Sequence, residues 1–131
     1  MSKRRVLVVD DDVNLSRLTA MILESSGKYE VMIVNQSSRA LAAAIQFQAE
    51  AMVLDVDMPG LDGGDLARDA ALDSRLRDIP ILFLTGLVRR DETTNGPVES
   101  DGRQFLAKPV DPAQLLAVVG ALLRPAVVPG I

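Results

Sequence analysis

Acidic residues directly follow two short apolar runs of this sequence, and they have the clearest capacity for chemistry. Asp10 and Asp11 come after residues 6–9, and Asp55 comes after residues 52–54. Short apolar runs are typical of buried strands, and parallel strands place their carboxyl ends at one edge of a sheet. We therefore expect these carboxylates to converge. Because close carboxylates repel one another, such a site needs a bound cation or a protonated carboxyl group.

Two residues in the second half of the chain extend this candidate site. Thr85 follows the apolar run at residues 81–84, and Lys108 follows residues 105–107. Strands that end at these positions would add one hydroxyl and one ammonium group to the carboxylates. A hard cation, a lysine and a hydroxyl donor together suit a phosphoryl group. Asp55 would then be a nucleophile that accepts the phosphoryl group as an acyl phosphate.

The composition limits the chemistry that this site can perform. The 131 residues include no cysteine and no histidine, which excludes disulfides, thiol chemistry and imidazole bases. Any bound metal must therefore have oxygen ligands, which favours Mg²⁺, Ca²⁺ or Mn²⁺. A net charge of −4 argues against direct nucleic-acid binding by this chain. The longest apolar run, residues 115–123, is too short to span a membrane, so we expect a cytoplasmic location.

The hydrophobic pattern predicts five strands that alternate with helices. The predicted strands are residues 5–9, 29–34, 51–54, 79–84 and 103–107. This alternation indicates a parallel α/β sheet with helices on both faces. The pattern weakens at residues 87–102, where Asn95-Gly96-Pro97 interrupts the expected fourth helix. We expect a shortened or irregular helix, a turn at Asn95-Gly96, a second turn that starts at Pro97, and high mobility.

Polar residues in front of the helical patterns predict helix caps. The candidates are Asp12, Asp62, and either Ser37 or Ser38, and Asp111-Pro112 is expected to open the last helix with proline at its first position. Asp12 is also a candidate for a fourth acidic ligand. The inner face of the first helix is predicted from the apolar spacing of Leu15, Leu18, Met21 and Ile22. Residues 1–124 are expected to form one domain, and residues 125–131 a tail or a linker stump.

Four motifs together resemble the receiver (phosphoacceptor) domain of two-component response regulators. They are Val8-Val9-Asp10-Asp11, Leu54-Asp55-Val56-Asp57-Met58-Pro59-Gly60, Leu84-Thr85-Gly86 and Phe105-Leu106-Ala107-Lys108-Pro109. The resemblance runs from Val6 to about Leu123. It implies a flavodoxin-like (βα)5 doubly wound parallel sheet with the strand order 2-1-3-4-5.

The resemblance also implies roles for individual residues. Asp55 would be the phosphoacceptor, Lys108 would pair with the phosphoryl oxygens, and Thr85 would donate a hydrogen bond to one of them. Thr85 would then carry the switch together with Phe105, although Phe105 fits a core position equally well. The phosphoryl group would come from a sensor histidine kinase, a phosphotransfer protein or a small acyl phosphate.

The cofactor implied by the resemblance is Mg²⁺ or Mn²⁺. Asp11 and Asp55 would bind the ion through their carboxylates, Asp57 through its backbone carbonyl, and Asp10 through water. The side chain of Asp57 is expected at the solvated rim of the pocket. Asp57 and Leu87 occupy the two positions that influence the hydrolysis rate of the acyl phosphate in this family.

The implied function is a phosphorylation-dependent signalling switch and not an ordinary enzyme, although intrinsic autophosphorylation and autodephosphorylation belong to it. Phosphorylation would alter the face formed by the fourth helix, the fifth strand and the fifth helix. Receivers usually offer this face to partners or to a second copy in a homodimer. The interrupted fourth helix is a departure from the family at that face.

Three other functions are weighed against this one. A pseudo-receiver that binds partners without phosphorylation would share the fold. The spacing of Asp55 and Asp57 resembles the nucleophile motif of haloacid dehalogenase phosphatases, but that family places its motif on the first strand. A nucleotide or flavin module would need glycines or hydroxyls after the first strand, where residues 10–12 are all aspartate.

Overall fold

The computed structural model describes residues 3–60, 62–86, 98–100 and 103–123. These residues form six strands: β1 (Arg4–Val9), β2 (Tyr29–Val34), β3 (Ala51–Asp55), β4 (Ile81–Thr85), β5 (Val98–Ser100) and β6 (Arg103–Ala107). They also form the helices α1 (Val13–Ser25), α2 (Ala40–Phe47), α3 (Gly63–Ala71) and α4 (Pro112–Leu122), with a 3₁₀ turn at Ser37–Arg39 before α2. None of the helices in these ranges is long and apolar enough to cross a bilayer.

The sheet has the order β2-β1-β3-β4-β6-β5. Its first five strands in this order are parallel neighbours, so the predicted sheet with the order 2-1-3-4-5 is confirmed, with β6 as the predicted fifth strand. The short strand β5 was not predicted. Val98–Ser100 pair antiparallel with residues 103–105 of β6, whereas the sequence predicts a turn that starts at Pro97. The predicted fourth helix and the turn at Asn95-Gly96 lie outside the described residues.

Strand β1 separates two hydrophobic cores. Val6 and Val8 point into a core with residues of α1 and α4, whereas Leu7 and Val9 point into a core with residues of α2 and α3. All four side chains are buried. A strand buried on both faces needs a continuous apolar run, because successive side chains point to opposite faces of the sheet. The expected doubly wound architecture follows from this pattern.

The inner face of α1 differs from its prediction. Leu18 and Met21 are 49% and 67% exposed, whereas Ser16 and Thr19 are fully buried. The two hydroxyls donate hydrogen bonds to backbone carbonyls one turn earlier, at 2.9 Å each, so their burial leaves no unpaired donor. The prediction was wrong at Leu18 and Met21 because hydrophobic spacing alone treats serine and threonine as surface residues. Ile22 is buried, as expected.

The carboxylates of Asp12 and Asp62 cap α1 and α3, as predicted, and α4 starts at Pro112, as expected, with the Asp111 carboxylate as its cap. Each accepts a hydrogen bond from a backbone N–H of the first helical turn, a donor that has no partner inside the helix. The prediction for Ser37 or Ser38 was wrong. These serines lie within the 3₁₀ turn, and neither Gln36 before the turn nor Arg39 before α2 makes a side-chain cap.

Helix α3 starts in direct contact with the end of β3. A Cβ atom built on Gly63 would lie 2.6 Å from the backbone oxygen of Asp55, closer than real Cβ contacts come. At the next residue, Gly64, the nearest atom to such a Cβ is a carboxylate oxygen of Asp62 at 3.3 Å. The absence of a side chain at Gly63 therefore sets how closely α3 approaches β3.

This contact predicts different effects for two neighbouring alanine substitutions. Gly63→Ala should lower the free energy of unfolding by about 1–3 kcal/mol, because backbone atoms cannot move aside without strain. Gly64→Ala should be the more stable of the two variants, because alanine favours helices by about 1 kcal/mol over glycine and its close neighbour is a side-chain oxygen and not backbone. Urea unfolding, monitored by circular dichroism, measures the free energy of unfolding of both variants. Equal stability of the two variants would show that the close approach to Asp55 has no energetic consequence.

Candidate functional site

Three aspartates meet at the carboxyl ends of β1 and β3. Asp10 follows β1, Asp55 is the last residue of β3, and the two strands are parallel neighbours. One carboxylate oxygen from each of Asp10, Asp11 and Asp55 lies within 4.8 Å of the others. Asp10 and Asp55 are buried, with 1% and 2% of their surface exposed, and Asp11 is exposed. The structure thus brings together the carboxylates that the sequence placed at these strand ends.

The same local hydrogen bond orients both buried carboxylates. Asp10 Oδ1 accepts from the backbone N–H of Asp12 at 2.9 Å, and Asp55 Oδ1 accepts from that of Asp57 at 3.0 Å. Aspartates favour this bond to the backbone two residues ahead, where a strand turns into a loop. Asp10 Oδ2 is buried and has no hydrogen-bond partner among the described residues.

Lys108 brings a positive charge to the carboxylates. Its Nζ donates a hydrogen bond to Asp55 Oδ1 at 2.8 Å and lies 3.8 Å from Asp10 Oδ2. Lys108 follows β6, and its backbone N–H donates to the carbonyl of Thr85 at 2.9 Å, which ties it to the end of β4. The peptide bond between Lys108 and Pro109 is cis.

The remaining candidates lie around this ion pair. Thr85 is the last residue of β4 and is buried. The side chain of Asp57 is exposed, and its Oδ2 atom accepts a hydrogen bond from the backbone N–H of Gly86 at 3.4 Å. Phe105 is partly buried, and its ring stacks on Phe83 with the centroids 5.0 Å apart. Because side chains alternate along a strand and these two rings are register partners, Thr85, Phe83 and Phe105 belong to one face of the sheet. Leu87 lies outside the described residues.

Burial and charge shift the pKa values of the two buried carboxyl groups, Asp10 and Asp55, in opposite directions. Burial raises the pKa of Asp10 from 3.8 to about 6, and the negative charge of Asp55 contributes in the same direction. Burial also acts to raise the pKa of Asp55. There, however, the hydrogen bonds from Lys108 and from the Asp57 amide outweigh it, so the pKa is lowered. The pKa of Lys108 is raised because its bond to Asp55 and the nearby aspartate charges outweigh its own burial.

These residues fit a hard divalent cation. Carboxylate oxygens are the ligands that Mg²⁺ and Mn²⁺ prefer, and Asp10 Oδ2 is a buried acceptor without a hydrogen bond. A cation near Asp10, Asp11 and Asp55 would offset a repulsion that the single charge of Lys108 leaves uncompensated. The donor set therefore suits the cofactor that the sequence motifs imply.

Asn35 also contacts this site, and its role was not predicted. It follows β2, and its side-chain amide donates to the backbone oxygen of Asp10 at 2.7 Å. The signal in the sequence that could have indicated this role is the position of Asn35 directly after an apolar strand. In the sheet, that strand pairs with β1 on the side opposite to β3.

The raised pKa of Asp10 predicts a particular dependence of stability on pH in metal-free protein. Between pH 3.8 and about pH 6, the Asp10 carboxyl group keeps its proton in the folded chain, whereas in the unfolded chain it has released it. The contribution of the protonated Asp10 to stability is therefore complete below pH 3.8, and it is lost as the pH rises through about 6. Asp10→Asn should remove this loss and raise the free energy of unfolding at neutral pH by up to about 3 kcal/mol.

Urea unfolding in the presence of EDTA, at acidic and at neutral pH, measures this effect. Asp78→Asn, at an exposed aspartate that precedes β4, is the matched control and should keep the native pH dependence. An Asp10→Asn variant whose stability depends on pH in the same way as that of the native protein would contradict the assignment.

Comparison with known proteins agrees with this geometry. A family model described as the response regulator receiver domain matches residues 6–120. The DNA-binding dual master transcriptional regulator RpaA of Synechocystis sp. is 36% identical over 120 residues, which make up 92% of this chain and 49% of RpaA. The chain thus spans about half the length of this curated relative.

Two solved structures share the fold over most of the chain. The chemotaxis protein CheY4 of Vibrio cholerae has a TM-score of 0.78 and 28% identity, covering 93% of this chain and 100% of CheY4. The receiver domain of the sensor histidine kinase PA1611 from Pseudomonas aeruginosa PAO1 has a TM-score of 0.76 and 25% identity, covering 93% of this chain and 98% of that domain. That structure has a magnesium ion coordinated in its active site cleft. This chain therefore belongs to the receiver-domain family of two-component response regulators, the family that its motifs resemble.

Proposed function

We propose that this receiver domain is a signalling switch controlled by phosphorylation of Asp55. The observation that carries the proposal is the 2.8 Å ion pair between Lys108 Nζ and the buried Asp55 carboxylate, beside the carboxylates of Asp10 and Asp11. A nucleophile, a neutralising ammonium group and oxygen ligands for a hard cation are thereby combined in one pocket. Receiver domains are signalling domains and bind Mg²⁺ at an acidic pocket of this kind.

The Asp55 carboxylate is suited to act as the nucleophile. Its lowered pKa keeps it ionised at neutral pH. One of its oxygens would form a bond to phosphorus while the bond between phosphorus and the donor breaks and the donor keeps the electron pair. The donor atom would be an imidazole nitrogen of a sensor histidine kinase or phosphotransfer protein, or the acyl oxygen of a small acyl phosphate. The same donor chemistry accounts for autophosphorylation.

Lys108 and Thr85 would stabilise the transferred group. The Lys108 ammonium already contacts Asp55 and would move its hydrogen bond to a phosphoryl oxygen, where the new charge lies. The Thr85 hydroxyl, at the end of the neighbouring strand β4, would donate to another of these oxygens. Both residues would thereby favour the phosphorylated state over the free one.

The cation would be held by the aspartates. Asp11 and Asp55 would bind Mg²⁺ or Mn²⁺ through their carboxylates, Asp57 through its backbone carbonyl, and Asp10 through water. When bound, the ion lowers the repulsion between the Asp55 carboxylate and an incoming anion. Neutralising these charges is the main electrostatic requirement of the transfer, because two of the carboxylates are buried.

Phosphorylation would change the surface next to Lys108 and Thr85. The phosphoryl group adds about −1.5 to −2 charges at the strand ends. A shift of Thr85 towards this charge would open space for the partly exposed ring of Phe105 on the same face of the sheet. The face near β6 and α4 would then bind a downstream partner or a second copy. Asp57 and Leu87 are the proposed positions that set the rate of autodephosphorylation.

The relatives do not fix the output of this chain. RpaA is a DNA-binding regulator, whereas the present chain has a net charge of −4, which disfavours direct contact with nucleic acid. We therefore propose that this chain acts on a protein partner and makes no direct nucleic-acid or membrane contact. Residues 1–124 would be the receiver domain, and residues 125–131 a tail or linker.

Phosphorylation of Asp55 is tested by mass spectrometry of the intact chain. Incubation with acetyl phosphate and Mg²⁺ should raise the mass by one phosphoryl group, and EDTA should prevent the increase. Asp55→Asn should abolish the increase, whereas the control Asp78→Asn should retain it. Labelling that persists in Asp55→Asn would refute the phosphoacceptor assignment. An unlabelled native chain that binds a partner would favour the pseudo-receiver instead.

The switch is tested with beryllofluoride, which mimics the phosphoryl group on Asp55. With Mg²⁺ present, beryllofluoride should shift the aromatic NMR signals of Phe105. Thr85→Ala should reduce that shift by more than half, because the hydroxyl that couples the site to the ring is missing. Thr85→Ser keeps the hydroxyl and should keep the shift. If Phe105 responds equally in all three proteins, Thr85 does not couple the site to the ring.

A further inference from the structure

Asn35 forms two hydrogen bonds that meet at the loop after β1. Its Nδ2 atom donates to the backbone oxygen of Asp10 at 2.7 Å and to Ser16 Oγ at 3.0 Å. Asp10 begins the loop that carries two of the site carboxylates, and Ser16 lies in the first turns of α1. One amide group thus contacts the start of this loop and the first turn of the helix that follows it.

Ser16 is placed to receive the bond from Asn35. Its side chain is 0% exposed, and its hydroxyl donates to the carbonyl of Val13 at 2.9 Å. Because a hydroxyl has one hydrogen to donate, its oxygen is left to accept the bond from the amide. The Ser16 hydroxyl therefore donates to Val13 and accepts from Asn35, so the side-chain amide of Asn35 is held in one orientation.

The polar atoms of Asp10 are held in place with one exception. Its backbone N–H donates to the carbonyl of Val34 at 3.1 Å, its backbone oxygen accepts from Asn35, and its Oδ1 accepts from the N–H of Asp12. Its Oδ2 has no hydrogen bond within the described part of the chain and lies 3.8 Å from Lys108 Nζ. The remaining free oxygen of Asp10 therefore faces the other charged groups of the site.

We infer that Asn35 is a positioning residue for the cation: its side-chain amide holds the Asp10–Asp11 turn so that both carboxylates stay directed at the site. This inference rests on the proposed function, in which a divalent cation is bound there. Repulsion among Asp10, Asp11 and Asp55 acts to turn the loop outwards towards water. A rigid loop keeps the ligands in place before the ion arrives, so the ion need not order them.

A purely structural role for Asn35 is the competing explanation, because its bond to Ser16 also ties β2 to α1. The two bonds can be separated by substitution. Ser16→Ala removes the tie to α1 and leaves the bond to Asp10, whereas Asn35→Ala removes both. Asn14 is an exposed asparagine of α1, so Asn14→Ala is a matched control.

The experiment is a calorimetric titration of the full chain and its variants with MgCl₂. Asn35→Ala should raise the Kd for Mg²⁺ about tenfold, the lower end of the effect expected from residues that orient metal ligands. Ser16→Ala and Asn14→Ala should stay within twofold of the native value. The inference fails if Asn35→Ala binds like the native chain, or if Ser16→Ala is weakened as much as Asn35→Ala.

A second measurement uses the native chain and does not depend on the folding of a variant. In ¹⁵N NMR spectra, the side-chain amide protons of Asn35 should exchange with water at least tenfold more slowly than those of Asn14. They should also shift during a Mg²⁺ titration with the same midpoint as the backbone amide of Asp12. Exchange as fast as in Asn14, or no shift, would overturn the inference.

These outcomes are distinct from a failure of the proposed function. A native chain that binds Mg²⁺ and is phosphorylated, together with an unaffected Asn35→Ala variant, would refute the role of Asn35 alone. A native chain that does not bind Mg²⁺ would refute both.

Discussion

Repulsion among the carboxylates of Asp10, Asp11 and Asp55 is the constraint on which the rest of the site depends. Two charges about 5 Å apart repel by roughly 3 kcal/mol at an effective dielectric constant near 20. Two of these groups are buried, and Lys108 contributes a single positive charge close to them. Burial, together with the charge of Asp55, raises the pKa of Asp10 to about 6, so its ionised form is unfavourable in the metal-free site and a bound cation would stabilise it.

The fold keeps these charges together through connections made outside the pocket. Strands β1, β3, β4 and β6 are parallel, so their carboxyl ends lie at one edge of the sheet. Their buried apolar side chains anchor the strands on both faces. Short loops then complete the arrangement, with Asn35 bonded to Asp10 and Lys108 bonded to the end of β4. The stability of the two cores is what allows an unfavourable cluster of charges to persist at their edge.

Much of the fold was predictable from sequence because the relevant signals are local. Continuous apolar runs marked the parallel strands, and polar residues at their ends marked Asp10, Asp55 and Lys108. The inner face of α1 was not predictable in the same way, since the burial of Ser16 depends on a hydrogen bond that apolar spacing does not encode. The contact made by Asn35 likewise needs the neighbouring strands to be in place. Strand β5 forms by pairing with the edge of β6. A segment of three residues is too short for its own hydrophobic pattern to predict such pairing.

Paramagnetic broadening by Mn²⁺ in NMR spectra tests most directly whether these carboxylates form one cation site. Substoichiometric Mn²⁺ should first broaden the backbone amide signals of Asp11, Asp12 and Asp57. Signals from Lys28 and Glu50, at the amino ends of the strands, should persist. Mg²⁺ should restore the broadened signals by competition. Broadening that spreads evenly over the acidic surface, or that starts at the amino ends, would contradict a single site built by Asp10, Asp11 and Asp55.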